Sequence, residues 1–326
     1  MTYSISRRHI LSLTLLTLAA ASAPVLAQAI WPSKPIRLVL PFAAGGPADI
    51  VTRLIAQALN KQLGQSVIVD NKPGAGGIIG SDAVAKSAPD GYTLLIAGNG
   101  AIANALLRAK MPYADADLVP VVTTHTSPSV MVTSVSSRFG NLTELQAYGK
   151  RKGGLTFGTA GAGSTGHFVA EMVHAELGVP VTLVHYKSGS ETVNAIMSGQ
   201  IDLASEAPVG VRAYLGSGKL RALGVTGDKR SALLANVPTT VEQGFPGIRI
   251  QHWGGIYAPK GTPPAVMDRV ASALLTAAQT DPELRTRFET TGNELLVGTR
   301  AEFEQFTVSE KKRLGKLVAD SKMSVD

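Results

Sequence analysis

The chain has 326 residues, 44% apolar and 17% charged, with 34 glycines, few aromatics (5%) and no cysteine. That composition is globular, and it excludes a disulfide framework, a thiolate metal site, a cysteine nucleophile and a cysteine-linked lipid anchor. The net charge of +7 is dispersed; its longest basic clusters, Lys150-Arg151-Lys152 and Lys311-Lys312-Arg313, have no aromatics between them, which argues against nucleic acid as a partner.

Residues 1–29 carry Arg7 and Arg8 and no acid, then an apolar run from Ile10 to Ala21, then small residues with Val25-Leu26-Ala27 and Ala27-Gln28-Ala29 as cleavage signals. A basic head, a short apolar middle and an A-x-A tail describe a secretory signal peptide, and the run is too short to span a bilayer. Ser6 to Leu11 is also similar to a twin-arginine export signal; an ordinary secretory leader fits equally. The mature protein is therefore expected to be soluble and outside the cytoplasm, which weakens any function needing NAD, ATP or a genome.

Short aliphatic runs then alternate with helical patterns. Ile36–Leu40 reads as a buried strand, followed by a Gly/Pro loop and a helix to Leu63, with apolar residues at 50, 51, 54, 55, 58, 59 and 63. Val67–Val69 is a second strand, 78–88 a helix, and Thr93–Ala97 a third strand. A second set follows: strands at Leu155–Gly158, Val181–His185, Ile201–Ala204 and Ala222–Thr226, with helices at Thr165–Leu177 and Glu191–Ser198. The repetition predicts parallel sheets covered by helices. The tail is helical over 264–279, 282–291 and 301–318, with no sheet of its own, so it must pack on the first set. The chain is thus expected to leave its first lobe near 127–134 and re-enter near 249–254. Two crossings make a hinge, and a hinge between two α/β lobes makes a cleft. The expected division is 1–29 leader, 30–130 plus 253–326 first lobe, and 131–252 second lobe.

Ligands of open α/β sheets sit at the carboxyl ends of strands. Three glycine-rich loops occupy such places: Pro41 to Asp49, Pro73 to Gly77, and Gly158 to Gly166. Each opens a helix, where free N–H groups and the positive dipole end favour an anion. Three such loops could grip a small carboxylic acid. Asp49 reads as a helix cap, since a bare carboxylate would repel that ligand.

Other patterns carry less. Gly161 to Gly166 matches G-x-G-x-x-G, but no acid stands about 20 residues on, as dinucleotide binding requires. His167, Glu171 and His174 share a helix face without further metal ligands nearby. Ser164 lacks the glycine at 162 that a nucleophile elbow needs. No catalytic set and no cofactor is expected.

At these loops the sequence resembles the periplasmic solute receptors of tripartite tricarboxylate transporters, the Bug-type family. The resemblance rests on Trp31-Pro32-Ser33-Lys34-Pro35-Ile36-Arg37-Leu38-Val39, on Pro41-Phe42 through Gly45-Gly46 to Asp49, and on Val69-Asp70-Asn71-Lys72-Pro73-Gly74-Ala75-Gly76-Gly77. It continues in Pro89-Asp90-Gly91-Tyr92-Thr93-Leu94, Gly163-Ser164, Tyr186-Lys187, Gly218 to Leu223, Val237-Pro238-Thr239 and Ala258 to Pro263. The resemblance implies a two-lobed, type II periplasmic-binding-protein-like α/β fold that closes on a small carboxylate, working as a monomer with membrane permease subunits. It implies ligand contacts at Phe42, Gly45, Gly46, Pro47, Ala48 and Asp49, and at Gly76 and Gly77. From the second lobe it implies Ala160, Gly163, Ser164, Thr165 and His167, with Glu206 facing a ligand amine or hydroxyl. His185 and Ser188 stand where the family usually has proline and glycine, so ligand choice is expected to differ and His185 joins the set. A sensor partnered with a membrane kinase, or less favourably an exported hydrolase, are the alternatives.

Overall fold

The computed structural model describes residues 31–321 and Met323; the expected leader, with cleavage at Ala27 or Ala29, lies outside the described residues. The chain divides into Met1–Ser33 and Lys34–Asp326. In the first unit only residues 31–33 are described, and all that follows concerns the second.

Strand β1 (Ile36–Leu40) is an interior strand of the first sheet, buried except at Arg37. Helix α1 (Pro47–Leu63) starts with proline at its first position, where a missing N–H costs nothing, and stops at Gly64, whose φ of 66° is the left-handed C-cap. Strand β2 (Val67–Asn71), helix α2 (Ile78–Ala85), strand β3 (Thr93–Ala97) and helix α3 (Asn99–Leu107) complete the first run. Strand β4 (Leu118–Pro128) closes it. A single residue, Ser129, then separates β4 from β5 (Val130–Ser134), which belongs to the other sheet.

The second sheet is built from β5, helix α4 (Leu142–Lys152), β6 (Leu155–Thr159), α5 (Thr165–Leu177), β7 (Val181–His185), α6 (Gly189–Met197), β8 (Leu203–Glu206), α7 (Pro208–Gly216) and β9 (Leu220–Val225). The chain returns through β10 (Gln251–Pro259). It ends in helices α8 (Pro264–Thr280) and α9 (Pro282–Thr290), the two-residue strand β11 (Glu294–Leu295) and helix α10 (Arg300–Ser321).

The strand orders are β11-β4-β10-β3-β1-β2 and β7-β6-β8-β5-β9. Each sheet is mixed, which corrects the all-parallel expectation. The parallel strands β2-β1-β3 and β7-β6-β8 come from β-loop-α units. Beside them run antiparallel strands: β10 pairs with β3 and β4, and β5 with β8 and β9. The physical reason is the crossing itself, because a strand arriving from the other lobe meets its new sheet running against the parallel set. Thr226 ties the two crossings together: its Oγ1 donates to Ile250 O at 2.5 Å and accepts from Ser129 N–H at 3.1 Å.

The tail packs where its lack of a sheet requires, α8 on α1 and α10 on β4 and α3. Fully buried Leu38, Leu94 and Leu95 fill the first layer; Met131, Phe157 and Phe168 fill the second. The molecule is therefore a two-lobed α/β fold with each sheet's loops free to meet the other's.

Candidate functional site

A cavity of about 150 Å³ lies between the carboxyl ends of the two sets of strands. Five helix N-termini line it. The first sheet contributes Gly46, Pro47 and Ala48 of α1, and Gly98, Asn99 and Gly100 of α3. The second contributes Ser164, Thr165 and Gly166 of α5, Ser188 and Gly189 of α6, and Ala207 with Val209 of α7. First-turn amides have no intrahelical acceptor, and each helix ends in partial positive charge at this point. Among the described residues no lysine or arginine lines the cavity. Leu40, Phe42, Val51, Ile96 and Trp253 form apolar walls. The site thus attracts negative oxygen through dipoles and amides, while its walls favour a carbon skeleton.

The α1 turn is held from behind. Asp49 accepts from Gly45 N–H (3.0 Å), Arg53 Nε (2.8 Å) and Asn71 Nδ2 (3.0 Å). Burial pushes its carboxyl up, but Arg53, the Gly45 amide and Asn71 outweigh burial and hold it below its ordinary value. Both oxygens are spent on the loop. Asp49 and Gly45 accordingly stand outside the cavity lining, while Phe42, Gly46, Pro47 and Ala48 lie in it.

The α5 turn is built on a buried imidazole. Ser164 Oγ caps the helix by accepting from His167 N–H, and His167 Nδ1 accepts from Gly163 N–H at 3.1 Å. His185 pairs its Nδ1 with Thr159 Oγ1 at 2.6 Å, and the two rings meet edge to face at 5.3 Å. Burial, helped by His185, lowers His167 to about 4, and burial also lowers His185. Both are neutral near pH 7, so the 3.9 Å approach of His167 to Glu171 is no ion pair there. Ala160, Ser164 and Thr165 line the cavity; Gly163, His167 and His185 stand behind it, shaping the turn. Among the described residues no cluster of histidine and carboxylate has metal-site geometry.

Gly76 and Gly77, expected at the ligand, are not among the lining residues. Gly76 has a φ of 64°, and a Cβ there would fall 2.5 Å from Ala162 O, on the loop of the opposite sheet. Asn104 Nδ2 fastens Gly76 O at 3.0 Å. These glycines let two loops touch instead of opening amides to the cleft. Their expected place is taken by α3, whose Gly98 lies so close to β10 that a Cβ would fall 2.1 Å from Trp253 O. Asn99, 3% exposed, donates through Nδ2 to Thr165 Oγ1 (2.9 Å) and Gln251 O (3.0 Å).

The cavity floor lies at the crossings and holds residues that motif reading passed over: His125, Ser127, Ser205 and His252, beside the expected Glu206. Glu206 is buried, and burial pushes its carboxyl up to about 7 despite Thr192. The available signal was positional, since the crossings expected near 127–134 and 249–254 must face the cleft from its hinge side.

Known proteins share this fold. Residues 51–323 match the model of the tripartite tricarboxylate transporter family receptor. A UPF0065 protein from the tcbD-tcbE intergenic region of Pseudomonas sp. strain P51 is 34% identical over 326 residues, covering 99% of this chain and 97% of that protein. The structure of the periplasmic binding protein BugD superposes with a TM-score of 0.85 at 30% identity, over 90% of this chain and 99% of BugD. R. palustris Rpa4515 with adipate gives 0.86 at 30% identity, over 90% and 99%. The chain belongs to the receptor family of the tripartite tricarboxylate transporters, a family of solute-binding proteins.

Proposed function

We propose that this protein is exported to the periplasm, its leader cleaved near Ala27 or Ala29, and that it captures a small carboxylate between lobes 30–130 plus 253–326 and 131–252. As a monomer it then delivers the ligand to the membrane subunits of a tripartite carrier. One observation carries the reading: five helix N-termini converge on one cavity whose walls are apolar and whose lining, among the described residues, has no cationic side chain. Such a site recognises a carboxylate by main-chain amides, as expected of a receptor that must also release it. A micromolar affinity corresponds to about 8 kcal/mol, and each charge-assisted hydrogen bond contributes ~1.5–3 kcal/mol before ordering costs. A few such bonds, from the amides of Gly46, Ala48 and Thr165 and the hydroxyl of Ser164, are enough. Gly45, Asp49, His167 and His185 hold these turns in place. The likeness to a protein whose structure contains adipate supports the ligand class.

The test is calorimetry on the mature chain with a panel of mono-, di- and aromatic carboxylates, repeated on Gly46→Leu. A Cβ at Gly46 meets nothing nearer than Ala43 O at 3.7 Å, so the backbone accepts a side chain at this lining position. Binding by the parent and loss of at least 30-fold in the variant are expected. Unchanged affinity in a folded variant rejects the pocket.

A further inference from the structure

The floor of the cavity differs in chemistry from its rim. On β4, His125 lies over β10, where Gly254 makes room for it: a Cβ there would fall 2.3 Å from the imidazole Cε1. Thr124 Oγ1 meets His125 Nδ1 at 2.8 Å. On β10, His252 is paired in register with Ser127 of β4. Its Nε2 meets Ser129 Oγ at 3.0 Å, and Ser129 Oγ meets Ser205 Oγ at 2.6 Å. Ser127 Oγ and Glu206 Oε1 are buried with no hydrogen-bond partner among the described residues. His125, Ser127, Ser205, Glu206 and His252 all line the cavity.

No group on this floor is a cation near neutral pH. Burial lowers His125 to about 3, with His252 contributing, and lowers His252 to about 4. The one acid, Glu206, is pushed up to about 7 by burial, so it is only partly ionised in the same pH range. Neutral imidazoles and hydroxyls can each donate or accept, because the tautomer and the hydroxyl rotor adjust. They suit an uncharged polar group. A second carboxylate placed here would be desolvated with no cationic side chain beside it and with Glu206 as its neighbour, an unfavourable combination.

We propose that His125, His252, Ser127 and Ser205, the last tied to His252 through the buried Ser129 hydroxyl, form a neutral recognition subsite, so that the cleft selects monocarboxylates bearing a hydroxyl at the end remote from the carboxylate over dicarboxylates. The assignment rests on the carboxylate-capture reading, which supplies the anionic end at the rim. It sets this chain apart from the relative seen with adipate. His125 and His252 are then the specificity-determining residues.

The experiment compares two matched series by calorimetry at pH 7: benzoate, 4-hydroxybenzoate and terephthalate; and hexanoate, 6-hydroxyhexanoate and adipate. In at least one series the hydroxy acid is expected to bind ten or more times tighter than both the diacid and the unsubstituted acid. A diacid that equals or beats the hydroxy acid in both series overturns the neutral subsite while leaving carboxylate capture standing. So does a hydroxyl that adds nothing in either. If no member of either series binds, it is the capture reading that fails, and this subsite with it. In a folded His252→Leu, the advantage of the hydroxy acid is expected to drop at least fivefold with the unsubstituted acid unchanged, and His252→Gln is expected to restore part of it. Equal loss for both acids reassigns His252 to structural support.

Discussion

The side-chain amide of Asn99 donates to Thr165 Oγ1 at 2.9 Å, joining the first turn of α3 on one sheet to the first turn of α5 on the other. This bond crosses the cavity rim. It adds nothing to either lobe alone and favours only the arrangement in which the two rims meet. Its energetic effect therefore belongs to closure, where a ligand acts by preferring one arrangement over another.

Thr165→Val keeps the shape of the side chain and removes this acceptor, while Asn99 retains Gln251 O. Carboxylate affinity is expected to fall about fivefold, the worth of one hydrogen bond of ~1 kcal/mol. Thr165→Ser is expected to bind as the parent does. Titration calorimetry on both variants checks this; an unaffected Thr165→Val removes the latch from closure.

Gly98→Ala places a methyl 2.1 Å from Trp253 O, a backbone atom of the central strand β10. The strand cannot yield cheaply, so α3 must shift. A loss of ~2–4 kcal/mol in stability is expected, measured by denaturant unfolding, and binding is expected to weaken further because Asn99 moves with the helix.

Glu206 gives the protein a pH-dependent stability term. Its folded pKa, about 7, is raised above the ordinary carboxyl value by burial. The stabilising contribution is thus complete below the unfolded pKa and disappears as pH rises through about 7. Glu206→Gln cannot ionise. It is expected to match the parent near pH 4 and to exceed it by on the order of 2 kcal/mol near pH 8. Unfolding curves at the two pH values decide the matter; a parent equal to the variant at pH 8 refutes it.

Asp202 works in the opposite sense. Burial raises its carboxyl, but Lys152 Nζ (2.6 Å) and the amide and hydroxyl of Thr156 (2.7 and 2.8 Å) outweigh burial and hold it below the ordinary value. Its contribution is present above the unfolded pKa and is lost as pH falls through the folded one. Asp202→Asn is expected to cost ~1–3 kcal/mol at pH 7 and little once pH drops below both pKa values. A penalty that persists undiminished in acid points instead to lost packing.

Periodicity and strand-end glycines were enough to locate most elements. The strands at Ile36–Leu40, Thr93–Ala97 and Val181–His185 and the helix at Thr165–Leu177 occur with the bounds their patterns give. Those signals are local: a buried aliphatic run, a 3.6-residue stripe, a cap. The same local chemistry pointed to the loops from Pro41 to Asp49 and from Gly158 to Gly166, within which the family resemblance named Gly46, Ala48, Ser164 and Thr165, because a glycine turn opening a helix carries its amides with it wherever the helix goes. Helix α3 and strands β4 and β10 were less legible. The helix is only nine residues long with a weak stripe, and the long strands owe their place to pairing across distant sequence.

Chain order and residue type determined which turns could bind an anion; folding in three dimensions decided which of them meet. Nothing local distinguishes Gly76 from Gly46. One is pressed against Ala162 O, while the other opens into the cavity. In the same way, His167 turned out to be a buried prop with the exposed His185 against it, whereas His125 and His252, unremarked by any motif, came to the floor. A side chain's exposure and its neighbours are set by the packing of two sheets joined at a double crossing, and that packing is a property of the whole chain rather than of any window along it.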